Sequence, residues 1–167
     1  MSKNIQFEPD RVTYLSIIDA LMACYGSLAA PDFRKIYVTL RSPLHQSISE
    51  GLRSKGVDII ETTDENDDVS TQLVATQSGD QVALGLSGVG PVAAVVHQGK
   101  DGRSCWVTLP DQAPSPLAAL VAAYVAAAGF VLLDRDMAMP TITMNRAGGD
   151  AKATLYQALF TDSDNIP

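Results

Sequence analysis

TQLVATQ-SGD-QVALGLS-GVGP-VAAVVHQ-GKDGR-SCWVTL, residues 71 to 109, is four apolar segments of six or seven residues divided by glycine-bearing breaks. Beta-branched side chains recur in every segment. The breaks hold Ser78-Gly79-Asp80, Gly88 with Gly90-Pro91, and Gly99 with Gly102. Short β-prone runs joined by turn residues are the pattern of an antiparallel meander. The stretch therefore predicts the centre of a single α+β domain with a mainly antiparallel sheet, and the flanking segments supply the helices that cover it.

Before the meander, Pro9-Asp10 opens a helix over about 10–25, with Val12, Leu15, Ile18, Leu21, Met22 and Tyr25 at three- and four-residue steps. Tyr14, Ile17 and Cys24 widen that apolar face, so the helix is expected to be well covered. Lys35 to Leu40 alternates apolar and polar residues and reads as a strand. Ser42-Pro43 then sets an N-cap and a first-turn proline for a helix over 42–54, with Leu44, Ile48 and Leu52 on one stripe. Val57 to Ile60 follows as a strand. Strand, helix and strand in that order fit either a parallel crossover or the flank of an antiparallel sheet.

After the meander, Ser115-Pro116 repeats the cap-and-proline start for an alanine-rich helix over 115–128. This helix is expected to be the most buried one and to pack on the meander. Leu117 to Leu133 is seventeen residues without a charge. A membrane span needs about 20 apolar residues, so a buried helix running into a buried strand at Phe130–Leu133 is the better reading. Thr141 to Met144 reads as a last strand, 151–160 as a last helix, and 161–167 as an acidic tail.

The 167 residues are 46% hydrophobic and 19% charged, in the range of a globular domain with its own core. Cys24 and Cys105 make neither a disulfide framework nor a metal spacing, and two buried thiols in a reducing compartment are expected. The polar start carries no secretory leader pattern, which favours a cytoplasmic protein. The net charge is −7, and its origin is local. No lysine or arginine occurs between Lys55 and Lys100, while Asp58, Glu61, Asp64, Glu65, Asp67, Asp68 and Asp80 all fall there. That sign is wrong for nucleic acid, so no nucleic-acid partner is expected.

Several motifs come close to chemistry and fall short. Gly85-Leu86-Ser87-Gly88-Val89 lacks the last glycine of a nucleophile elbow, so Ser87 reads as a turn serine. Gly88-Val89-Gly90-Pro91-Val92-Ala93 fits the dinucleotide fingerprint G-x-G-x-x-A, with Asp111 further on. The helix it requires would have to fit before Gly99, through valines that favour strand. Gly99-Lys100-Asp101 lacks the earlier glycine and the hydroxyl of a phosphate loop. Thr62 to Ser70 is acidic but has neither the central glycine nor the final glutamate of a calcium loop. His45 and His97 have no ligand spacing and read as surface or boundary residues, and Trp106 as a core anchor. No catalytic residue, cofactor or metal site is expected.

The runs Val82-Ala83-Leu84-Gly85-Leu86-Ser87-Gly88-Val89-Gly90-Pro91 and Leu155-Tyr156-Gln157-Ala158-Leu159-Phe160-Thr161-Asp162-Ser163-Asp164 resemble segments of small bacterial immunity proteins. The resemblance implies a single acidic α+β domain that neutralises a toxin by binding it, and it assigns no residue a role. The expected function is thus a non-enzymatic protein-binding module of immunity type, whose partner has a basic surface facing Glu61, Asp64, Glu65, Asp67, Asp68 and Asp80. Two other readings stay open: an acidic chaperone for a secreted effector, and a nucleotide-dependent oxidoreductase using the glycine turn at 88–93.

Overall fold

A computed structural model of the chain describes residues 14–64, 66, 68–146, 152–161 and 167. The meander is present with the expected breaks. Strands β1 (Asp58–Glu61), β2 (Ser70–Gln77), β3 (Asp80–Ser87), β4 (Val92–Gln98) and β5 (Ser104–Trp106) lie in that spatial order, each antiparallel to the next. The β2–β3 hairpin closes through Ser78 and Gly79, both with positive φ, as a two-residue turn of this hand requires. A short strand β6 (Val131–Leu132) lies parallel to the start of β4. The architecture is the α+β domain the sequence predicts.

Period-two alternation gives the sheet two apolar faces. Ile59, Leu73, Ala75, Val82, Leu84, Leu86, Ala93 and Val95 point to one, all buried. That face is closed by two helices that begin in the same way, α3 (Pro43–Ser54) and α4 (Pro116–Ala127). Ser42 and Ser115 cap them by accepting from the backbone N–H of His45 and Ala118, and a proline follows each cap. Leu117, Ala118, Val121, Ala122 and Val125 of α4 are buried against the strands, as expected of the alanine-rich helix. Gly51 allows α3 and α4 to approach, since a Cβ there would overlap the Tyr124 side chain.

Among the described residues, the other face is covered over one half only. Val92 and Ala94 meet α1 (Tyr14–Tyr25), α2 (Arg34–Leu40), α5 (Arg135–Ala138) and α6 (Leu155–Leu159) in a second core. A small sheet of β7 (Thr141–Thr143) and β8 (Lys152–Thr154) leads into α6. The carbonyls at the end of α6 have no helical partners of their own, and three side chains supply donors. Tyr25 donates to Ala158 O at 2.8 Å, Ser87 to Leu159 O at 2.7 Å and Ser70 to Phe160 O at 2.7 Å. Ser87 is structural, the role its incomplete motif favoured.

Several expectations are corrected. Lys35–Leu40 is helix α2, not a strand. Its β-like alternation would expose a row of backbone groups with no sheet edge to meet, whereas a helix satisfies them internally. Ile36 alone is fully buried, against the turn at Gly88, and Val38 is 77% exposed. With no strand before α3, the parallel crossover does not exist. The last helix is shorter than expected: residues 152–154 are strand, and a Thr154–Gln157 capping box starts α6 at Leu155. The onset expected near 148–151 lies outside the described residues, as do residues 10–13 of the first helix and all of the tail except Thr161 and Pro167. In α1, Ile17, Ala20, Leu21 and Tyr25 face the core, while Leu15 and Met22 are exposed, so this helix is covered on one side only. Cys24 is half-buried and Cys105 exposed, not two buried thiols. Burial pushes the Cys24 thiol above its ordinary value, against the pull of Lys35.

Candidate functional site

The edge strand β1 and the acidic connection that follows it form the candidate site. Ile59 points into the first core, so its neighbours Asp58 and Ile60 must point to the opposite face, where none of the described residues covers β1. Ile60 is 61% exposed. In register it faces Val74 of β2, which faces Ala83 of β3, and both of these are half-buried. The same row continues through Val96 to Trp106, which stacks edge-on against Tyr156 at 5.6 Å. One end of this apolar row is therefore roofed by the second core and the other end is open. The roof stops where the Phe160 ring crosses Gly85 and where Gln72 reaches Phe160 O.

Beside the open end, the β1–β2 connection is held by its own hydrogen bonds. Asp64 N–H donates to Asp68 Oδ2 at 2.7 Å, Asp68 N–H to Asp64 O at 2.7 Å and Asn66 N–H to Asp64 Oδ1 at 3.0 Å. Glu61 accepts from Thr63 Oγ1 at 3.1 Å. Among the described residues no lysine or arginine pairs with Glu61 or Asp64. The turn orders the two aspartates without neutralising Asp64.

Not all the expected acids gather here. Glu61, Asp64 and Asp68 share this end of the sheet, while Glu65 and Asp67 lie outside the described residues. Asp80 does not belong with them. It begins β3 at the far end of β2, roughly 23 Å away at the rise of an extended strand, and it meets His97 Nε2 at 2.7 Å. Burial alone would raise its carboxyl pKa. Hydrogen bonds from Ser115, His97 and the Gln81 backbone outweigh that and hold it below the ordinary value.

Behind Glu61, on the closed face, lies an open cavity of about 190 Å³ lined by Leu40, Arg41, His45, Gln46, Ser49, Glu61, Thr71 and Leu73. Its inner wall corrects the sequence reading of His45, which is 3% exposed and not a surface residue. The Ser42 cap places His45 in the first turn of α3, pointing inward against Phe130 at 5.8 Å between ring centres. His45 Nδ1 lies 2.8 Å from Thr71 Oγ1, and that hydroxyl donates to Leu40 O at 3.3 Å. When the hydroxyl proton goes to Leu40, Nδ1 carries the imidazole proton and Nε2 keeps its lone pair. The reverse tautomer forfeits one of the two bonds. Burial pushes the imidazole pKa down to about 4, so the ring is neutral at physiological pH.

The glycine turn at 88–93 leads from β3 directly into β4, so the helix that the dinucleotide fingerprint requires is not there. Among the described residues, no three His, Cys, Asp or Glu side chains converge to hold a metal ion, and no helix is long and apolar enough to cross a membrane. Comparisons with family models, with curated proteins and with solved structures give no match to this chain.

His45 and Ile60 are the site residues that sequence reasoning missed. A signal for Ile60 was present: two adjacent apolar residues in one strand point to opposite faces, and an edge strand is seldom covered on both. Nothing local marked His45, because its partners Thr71 and Phe130 are distant in sequence.

Proposed function

We propose that this domain is a protein-binding module whose contact surface is the open half of the sheet around Ile60, Val74 and Ala83. The observation that carries this reading is an exposed apolar side chain on an edge strand, backed by a cross-strand apolar row and bordered by Asp64 and Asp68 of the acidic connection. An apolar centre with a charged rim is the anatomy of a recognition surface. The rim of Asp64 and Asp68, with Glu65 and Asp67 beside them in sequence and Glu61 at the adjoining end of β1 with its side chain on the closed face, selects a partner of basic character and speeds its approach.

In its most specific form the partner is a toxin and the domain an immunity-type inhibitor. Support for that form is the resemblance of residues 82–91 and 155–164 to such proteins, together with the acidic rim. The test is co-expression with the product of the adjacent gene in a host that the product kills. Rescue by the wild-type chain and failure of Ile60→Asp to rescue, with the variant folded, is the expected result. Equal rescue by both forms rejects the proposed surface.

A further inference from the structure

We propose that the cavity behind Glu61 receives the alkylammonium side chain of a lysine from the partner. The claim rests on the protein-binding reading for the source of that side chain, and on the cavity alone for its chemistry. Three observations converge. First, His45 is almost fully buried, yet among the described residues its Nε2 has no hydrogen-bond partner. Among the described residues the only enclosed side-chain nitrogen or oxygen without a partner is Trp106 Nε1, so His45 Nε2 is not enclosed and opens on the cavity that His45 lines. A buried acceptor left open to a cavity calls for a donor.

Second, the cavity is small. At about 190 Å³ it lies below the roughly 300–1,000 Å³ of sites for whole small-molecule ligands. It suits one side chain. Leu40 and Leu73 give apolar walls for a methylene stem, and His45, Thr71 and Glu61 supply polar lining for a charged head. Third, the charge favours a cation. Exposed Glu61 and exposed Arg41 both line the cavity and offset one another, and Asp64 and Asp68 beyond Glu61 tip the local balance to negative. Neutral His45 accepts from a cation without repelling it.

The test uses the full chain, labelled for imidazole nitrogen NMR, and capped single amino acids as probes. N-acetyl-lysine methylamide is expected to shift the His45 Nε2 resonance saturably at millimolar concentration. N-acetyl-norleucine methylamide, which keeps the stem and lacks the charge, is expected to leave it unmoved. Glu61→Gln, at an exposed position that the fold does not need, should weaken the lysine probe by about threefold to tenfold. An unmoved His45 resonance, an equal response to norleucine, a stronger response to N-acetyl-glutamate methylamide, or unchanged affinity in Glu61→Gln each overturns the assignment.

The two readings fail separately. If the lysine probe is inert while Ile60→Asp still abolishes partner binding, the cavity assignment falls and the interface stands. If the probe binds while Ile60→Asp leaves partner binding intact, the interface falls and the cavity remains a lysine site.

Discussion

The two faces of the main sheet are made from alternate residues of the same strands, yet one is closed and the other half open. On the closed face, α3 and α4 cover every apolar side chain from Ile59 to Val95. On the other, the second core ends at Phe160, leaving Ile60, Val74 and Ala83 at the edge. The closed face is explained by folding alone, since each buried aliphatic side chain contributes about 1.5–3 kcal/mol. The open end gains less burial in the isolated chain, with Val74 and Ala83 half-buried and Ile60 exposed. Under the function proposed above, a partner covers it.

This contrast sets an order of expected effects. The largest lies on the closed face. Val121→Asp puts an unpaired carboxylate among Leu84, Leu86 and Ala93 in the first core and should cost about 4 kcal/mol or more, most of the stability of a domain at the low end of the usual range of about 5–15 kcal/mol. Circular dichroism and a thermal melt read this directly. A cooperative melt near the wild-type midpoint would show that α4 is not seated as described.

Acid should act next, through His45. Its folded pKa of about 4 lies below the ordinary 6.5, so the unfolded chain takes up the proton first as pH falls. The stability from keeping the ring neutral is whole above about pH 6.5 and is lost on the way down to about pH 4, by at most about 3 kcal/mol. Urea unfolding at a series of pH values measures the slope. His45→Gln, which cannot titrate, should remove this component whatever its own midpoint. An unchanged slope in the variant would mean that the imidazole is not held neutral.

Ser87→Ala tests the roof over the half-open face. It leaves Leu159 O buried without its donor and should cost about 1–3 kcal/mol. Chemical denaturation with an unchanged m-value is the expected signature, and loss of less than about 0.5 kcal/mol would remove the serine from the account of α6.

These differences also explain what could be read from the sequence. The meander was legible because its strands pair with their sequence neighbours and its turns carry their own residues, Ser78-Gly79 above all. The capped helices α3 and α4 were legible for the same reason. Arg34–Leu40 was not, because alternation of Ile36, Val38 and Leu40 suits a strand equally well and only the missing sheet edge decides. The end of the chain misled in a similar way, since the β7–β8 pairing takes residues 152–154 away from the helix. Of the site, the acidic turn was visible as charge, but sequence proximity grouped Asp80 with it. The hairpin carries Asp80 to the opposite end of β2, where it serves His97.

The smallest effects on stability should come from the open end. Ile60→Asp should move stability by no more than about 0.5 kcal/mol, while partner binding collapses. Replacing Asp64, Glu65, Asp67 and Asp68 together by Asn or Gln should leave the fold intact, slow association and flatten its salt dependence. Stopped-flow association at several ionic strengths separates the two. An unchanged rate and salt slope would reduce the acidic turn to a solvated loop.

Hydrogen exchange of the chain with and without its bound partner tests the central claim most directly. Amides of β1, the acidic connection and β2, residues 58–76, should become protected on binding, while those of α4 stay unchanged. Protection centred on α1 and α2, with residues 58–64 exchanging as in the free chain, would contradict the open sheet face as the binding surface.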